Sequence, residues 1–209
     1  MKLLFVHGWG FHASLWDAVI ACLPEADVVR ANRGYFGKAV WPRVDEPCLA
    51  VTHSFGSMAL LADPPADCRG LVAINGFDRF AEVEGRAGVP LRVIDRMLAR
   101  LEIDKTSALR DFHARLGSDV PQGTPDSARL RQDLAALRND DQRDATANFA
   151  GPILALDGAD DPLLSAAMRA GQFADATDLQ RETLVAGHLL PVTHPELCAA
   201  WIERLQVVA

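Results

Sequence analysis

Thr52-His53-Ser54-Phe55-Gly56 sets a serine between an apolar run, Cys48-Leu49-Ala50-Val51, and a helix-forming run, Ser57-Met58-Ala59-Leu60-Leu61. A serine on such a sharp strand-to-helix turn presents its hydroxyl above the sheet edge, placed to attack an acyl carbon. The turn requires small residues two before and two after the serine. Gly56 meets this fully; Thr52, standing where G-x-S-x-G has its first glycine, meets it in part. The attack needs a base, and the base needs an orienting group. Ala186-Gly187-His188 supplies the base, while Asp157, Asp160 and Asp161 compete for the orienting role. Asp161, three after Gly158, fits a G-x-x-D turn; Asp160 reads as a turn residue and Asp157 as the end of a strand. Ser54 would then attack, His188 would take its proton and return it to the leaving group, and Asp161 would fix the imidazole tautomer. Two backbone N–H donors would hold the oxyanion: that of Phe55, after the nucleophile, and that of Trp9 in His7-Gly8-Trp9-Gly10.

The elements that must position these groups follow from the apolar pattern. Leu3 to Val6 is a short, continuously apolar strand of the kind buried on both faces of a parallel sheet. Ser14 is placed to cap a helix with Leu15, Trp16, Val19, Ile20 and Leu23 on one face, ended by Pro24. A strand follows at Asp27 to Ala31, then an irregular loop over 32–47 that holds Gly34, Gly37, Pro42 and Pro47. The strand before Ser54, its helix and a strand at Leu71 to Ile74 come next. From Phe77 to Ala150 the pattern is helical, with amphipathic segments at Val89 to Leu101, Ser107 to Leu116 and Ser127 to Leu137. Strands resume at Ile153 to Leu156 and Leu179 to Val185, with helices near Leu163 to Phe173 and from Pro195 to Leu205. This alternation predicts a parallel α/β sheet, with residues 1–76 and 151–209 as its core and 77–150 as an inserted helical cap. Ser54, Asp161 and His188 each fall just past a strand, and adjacent parallel strands would bring all three to one edge.

Composition narrows the classes. The 209 residues, 49% hydrophobic, suffice for one core, and 21 basic against 28 acidic residues give a net charge of -7. No block of like charge marks a nucleic-acid partner, and no segment reaches the ~20 apolar residues of a membrane span. Met1 to Val6 ends at His7-Gly8, too short for a signal peptide, and reads as a strand. Cys22, Cys48, Cys68 and Cys198 are scattered and read as reduced thiols of a cytoplasmic protein, with no metal-ligand spacing.

Plainer readings stand beside these. Ser54 alone is an ordinary helix N-cap, and His188 a loop histidine; the order of the motifs argues otherwise. His7 reads as a brace for the first turn and His194 as a cap for the last helix, while His12, His53 and His113 read as structural or lining residues. Val93, Met97, Leu98 and Leu101 form a packing face. Arg92, Arg96 and Arg100 recur every four residues as either a solvated stripe or a docking surface for an acidic partner.

His7-Gly8-Trp9-Gly10, the Ser54 turn, Asn75-Gly76-Phe77 before the cap, Gly158-Ala159-Asp160-Asp161-Pro162 and Gly187-His188-Leu189-Leu190-Pro191-Val192-Thr193-His194-Pro195 resemble the α/β-hydrolase superfamily over essentially the whole chain. More narrowly, they resemble the pimeloyl-[acyl-carrier protein] methyl ester carboxylesterases of biotin synthesis. The likeness implies an α/β-hydrolase fold with a mostly parallel sheet of about six strands, the N-terminal hairpin missing, and an inserted helical cap. An exposed sheet edge there would favour a dimer, so monomer and homodimer both stand. It also implies a serine carboxylesterase with Ser54, Asp161 and His188 as triad and no metal or cofactor. The acyl chain would lie between core and cap, with Trp9, Phe77, Phe112 and Leu189 as substrate-binding candidates. The partner would be acyl-carrier protein, docked by some of Arg92, Arg96, Arg100, Arg110 and Arg129. A short-chain esterase, a thioesterase and a carbon-carbon hydrolase share the same triad, and a catalytically silent binding protein of this fold is the alternative from another class. Ser54 stands where a dehalogenase would need an aspartate.

Overall fold

The computed structural model describes residues 1–208. In chain order the elements are β1 (Lys2–Val6), α1 (Asp17–Ala21), β2 (Val28–Ala31), β3 (Cys48–His53), α2 (Gly56–Ala62) and β4 (Cys68–Ile74). Helices α3 (Leu91–Ile103), α4 (Lys105–Leu116), α5 (Ser127–Asn139) and α6 (Arg143–Ala147) follow. The chain ends with β5 (Ile153–Gly158), α7 (Ala166–Gly171), β6 (Leu179–Leu184), α8 (Leu190–Thr193) and α9 (Pro195–Val208).

The six strands form one sheet in the order β2-β1-β3-β4-β5-β6, every neighbouring pair parallel. Because side chains alternate across a strand, Leu3 and Phe5 enter the core on one face of the sheet with Trp16, Val19 and Ile202. Leu4 and Val6 enter the opposite core with Leu60, Leu61 and Phe173. A third apolar cluster, with Trp9, Phe55, Phe77, Ile94, Leu101, Leu109, Leu130 and Leu134, lies beneath α3, α4 and α5. In α3 the buried side chains are Ile94 and Leu101, so Ile94 rather than Val93 leads the packing face.

Several expectations shift. Adjacent strands do not carry all three chemical groups: β4 and β5 separate β3 from β6. Ser14 does not cap the first helix. A 3-10 turn over Ala13–Trp16 precedes α1 and is capped by His12, which accepts from the N–H of Ser14 at 3.2 Å, while α1 itself starts after Trp16 with no side-chain cap. The helix expected from Leu163 begins at Ala166, capped by Ser165. The 32–47 loop is irregular as expected, and it folds back on β2: Asn32 and Val40 exchange backbone hydrogen bonds of 2.7 and 2.8 Å, covering part of that sheet edge.

α2 and β1 meet closely at Gly56, where an added Cβ would lie 2.4 Å from the carbonyl oxygen of Val6. That contact lets α2 begin directly against β1. Gly56→Ala must push helix from strand, and such overpacking costs about 1–3 kcal/mol or more; urea unfolding at neutral pH should show at least that loss.

Candidate active site

Ser54 sits where β3 meets α2 with φ +54°, a left-handed conformation that non-glycine residues seldom adopt. Such backbone strain costs about 1–3 kcal/mol and persists only where the surroundings enforce it. Here Ser54 donates its N–H to Ile74 at 3.1 Å and accepts from the N–H of Ser57 at 3.1 Å. Thr52 is tolerated in the glycine position because its Oγ1 lies 2.7 Å from Ser57 Oγ, while Gly76 leaves room for that hydroxyl: a Cβ there would meet it at 2.2 Å.

His188 follows β6 and is 1% exposed. Its Nδ1 donates to Asp161 Oδ2 at 2.7 Å, which fixes the tautomer and leaves Nε2 as the basic nitrogen. Of the three competing aspartates, Asp161 is therefore the one joined to the imidazole. Asp160 is exposed, and Asp157 lies within β5. Asp161 Oδ2 also accepts from Asn75 Nδ2 at 2.8 Å, and Oδ1 accepts the N–H groups of Leu163 at 2.7 Å and Leu164 at 3.1 Å. Burial alone would raise the Asp161 carboxyl, but the hydrogen bond and charge of His188, with those two N–H groups, hold it below the ordinary carboxylate value. Asn75, itself left-handed at φ +46°, is a site residue whose sequence signal was only its place before the cap. Among the described residues, His188 Nε2 is buried without a hydrogen-bond partner, so no bond joins it to Ser54 in this conformation. In ligand-free triads that bond commonly tightens only with substrate.

No backbone hydrogen bond occupies the N–H of Trp9 or of Phe55 among the described residues. The first turn is braced from both sides. His7 Nε2 accepts the N–H of Arg33 at 3.0 Å, so its Nδ1 donates to the carbonyl of Gly8 at 2.9 Å. Burial pushes this imidazole down to about 4, keeping it neutral. From the cap, Trp9 Nε1 donates to the carbonyl of Leu130 at 2.8 Å, and His113 Nε2 donates to that of Gly10 at 2.9 Å. Arg33 and Tyr35, from the loop after β2, both hydrogen-bond the buried carboxylate of Asp133 on α5.

The remaining sequence candidates divide. Phe112 stands edge-on to Trp9 at 4.9 Å between ring centroids, and Leu189 lines a groove of about 730 Å³ with Phe11, Leu15, Leu116, Val120 and Val192. Phe77 is buried against Phe80 at 4.9 Å, within the cluster under the cap. Arg92, Arg96, Arg100, Arg110 and Arg129 are all exposed, the first three along α3, but they differ in what they pair with. Arg100 pairs with Asp111, and Arg129 reaches Asp126 at 3.4 Å, while Arg110 bonds Ser107. Among the described residues, no helix is long and apolar enough to cross a membrane.

The architecture recurs in solved structures. A hydrolase from Pseudomonas aeruginosa PA01 superposes with a TM-score of 0.78 at 19% identity, over 98% of this chain and 89% of that one. An esterase from Exiguobacterium antarcticum gives a TM-score of 0.84 at 15% identity, covering 99% and 92%. The enol-lactonase from Burkholderia xenovorans LB400 gives 0.79 at 14% identity, covering 99% and 91%. No protein-family model matches the chain, and no curated protein matches it significantly in sequence. With the six-stranded parallel sheet, these similarities define the α/β-hydrolase fold.

Asp157, one turn of chain before the paired aspartate, gives the site region a pH signature. Loss of hydration pushes its carboxyl up to about 7 against the opposing charges of Arg181 and Arg169, and the charge of Asp161 adds to the rise. In the unfolded chain it ionises near the ordinary carboxylate value of about 4. Between about pH 4 and 7 the folded state therefore keeps a proton that the unfolded state has released, and stability falls as pH rises through that window. Asp157→Asn should flatten this slope in urea unfolding and leave the variant more stable than wild type at about pH 8; an unchanged slope would place its origin elsewhere.

Proposed function

We propose that this protein is a serine carboxylesterase that uses Ser54, His188 and Asp161. The observation that carries the reading is the buried Asp161–His188 pair at 2.7 Å, its Nε2 without a partner among the described residues, at the same sheet edge as a serine held at φ +54°. In the first half-reaction Ser54 Oγ attacks the ester carbonyl while His188 Nε2 takes its proton. The tetrahedral oxyanion is met by the N–H groups of Trp9 and Phe55, and collapse gives an acyl-serine as His188 returns the proton to the departing alcohol. Water, deprotonated by His188, then attacks the acyl-serine, releasing the acid and restoring Ser54. Asp161 stays ionised throughout and stabilises the imidazolium formed in each half. Two of the solved neighbours bear names of ester-cleaving enzymes, an esterase and an enol-lactonase, which supports ester chemistry here.

Ser54→Ala should lower kcat on an aryl acyl ester by at least about a thousandfold with the fold intact, and should abolish labelling by a fluorophosphonate. Wild-type turnover in the variant would remove the reading, and a wild-type protein that is neither active nor labelled would favour the silent binding protein.

The finer reading is hydrolysis of the methyl ester of a pimeloyl chain carried by acyl-carrier protein. Its support is the likeness of His7-Gly8-Trp9-Gly10, the residues leading into the cap and the stretch from Gly187 to Pro195 to esterases of that type. The exposed guanidinium groups of Arg92 and Arg96, which make no ion pair among the described residues, add a surface for an acidic carrier. Reversing both charges to glutamate should raise KM for the carrier-bound substrate by about tenfold while leaving a small aryl ester unaffected. Equal activity on both substrates would sink carrier docking at this surface and leave the ester chemistry standing.

A further inference from the structure

His53 precedes the nucleophile and touches the base. It is 0% exposed, its Nε2 lies 2.9 Å from the carbonyl oxygen of His188, and the two imidazole rings sit 4.8 Å apart between centroids. Phe11 and Trp16 wall the ring at 5.5 and 6.5 Å, edge-on. Its Nδ1 is buried without a partner among the described residues, so the proton resides on Nε2, which donates to His188. Loss of hydration pushes this imidazole down to about 3. It remains a neutral donor and adds no positive charge beside the imidazolium that must form at His188.

The need for such a contact follows from the sheet order. Ser54 leaves β3 and His188 leaves β6, with β4 and β5 between them. Three strand spacings of about 4.8 Å separate their ends by roughly 14 Å. The loop after β6 must therefore lean back across the sheet edge. As far as Ala186 it is held by β5 and the turn after it: Ala159 N–H bonds Leu184 at 2.8 Å and Asp160 N–H bonds Ala186 at 2.9 Å. From Leu189 onward it is held by α8, whose Val192 and Thr193 N–H groups bond the Leu189 carbonyl at 2.9 and 3.0 Å. Between these anchors Gly187 packs its carbonyl against Gly158, but neither Gly187 nor His188 makes a backbone–backbone hydrogen bond among the described residues. His53 supplies the hydrogen bond to the His188 carbonyl in that gap.

We propose that His53 is a positioning residue: its Nε2–H grips the main chain of the base and fixes it relative to the nucleophile one residue away. Asp161 orients the ring of His188, and His53 sets where that ring stands.

This rests on the esterase reading, so the test compares two near-isosteric replacements on a protein first shown to hydrolyse an aryl ester and to be labelled at Ser54. His53→Gln keeps an N–H donor; His53→Met has a similar length and none. The glutamine variant should keep kcat within about threefold of wild type, while the methionine variant should lose at least about tenfold in kcat with KM unchanged. Melting curves establish that each variant is folded, and His53→Phe replaces the methionine variant if that does not fold. Equal kcat with and without the donor would overturn the proposal. So would failure of every donor-free variant to fold, which would make His53 a folding residue. A wild-type protein with no turnover and no labelling would instead defeat the esterase reading itself.

Discussion

Removing a carboxylate from water costs several kcal/mol unless its lone pairs find donors. At Asp161 the donors come from three parts of the chain: His188 after β6, Asn75 after β4, and the N–H groups of Leu163 and Leu164 just beyond the aspartate. Each spends a donor on this one buried charge. Asn75 bends into a left-handed conformation at the end of β4, a shape that asparagine bears more readily than most residues, and in doing so brings its amide to the carboxylate. Leu163 and Leu164 turn their backbone donors inward, and regular helix begins only at Ala166. Without this charge, the ends of β4, β5 and β6 would have no common polar centre to converge on.

The strands were legible because a parallel strand buried on both faces reads as an unbroken apolar run, as Leu3 to Val6 and Ile153 to Leu156 do. The groups placed just past strands were legible for the same reason: Ser54, Asp161 and His188 follow β3, β5 and β6. What stayed hidden depends on partners distant in sequence. Asn75 meets Asp161 86 residues away, His113 meets Gly10 across 103, and His53 meets His188 across 135. No local period encodes such pairings. Local rules also misled at helix starts. Ser14 has the chemistry of a cap, yet it lies inside a 3-10 turn that His12 caps, and the helix expected from Leu163 waits for Ser165 because the carboxylate of Asp161 has already taken the donors before it.

The anchoring of the cap has a dynamic meaning. Its two polar ties to the first turn, Trp9 to Leu130 and His113 to Gly10, do not hold a remote rim; they pull on the segment that carries the Trp9 N–H. Any outward swing of α4 or α5 must either break those ties or drag that segment along. The cap and the segment that carries the Trp9 N–H are therefore mechanically coupled, so that a displacement of either is felt at the other.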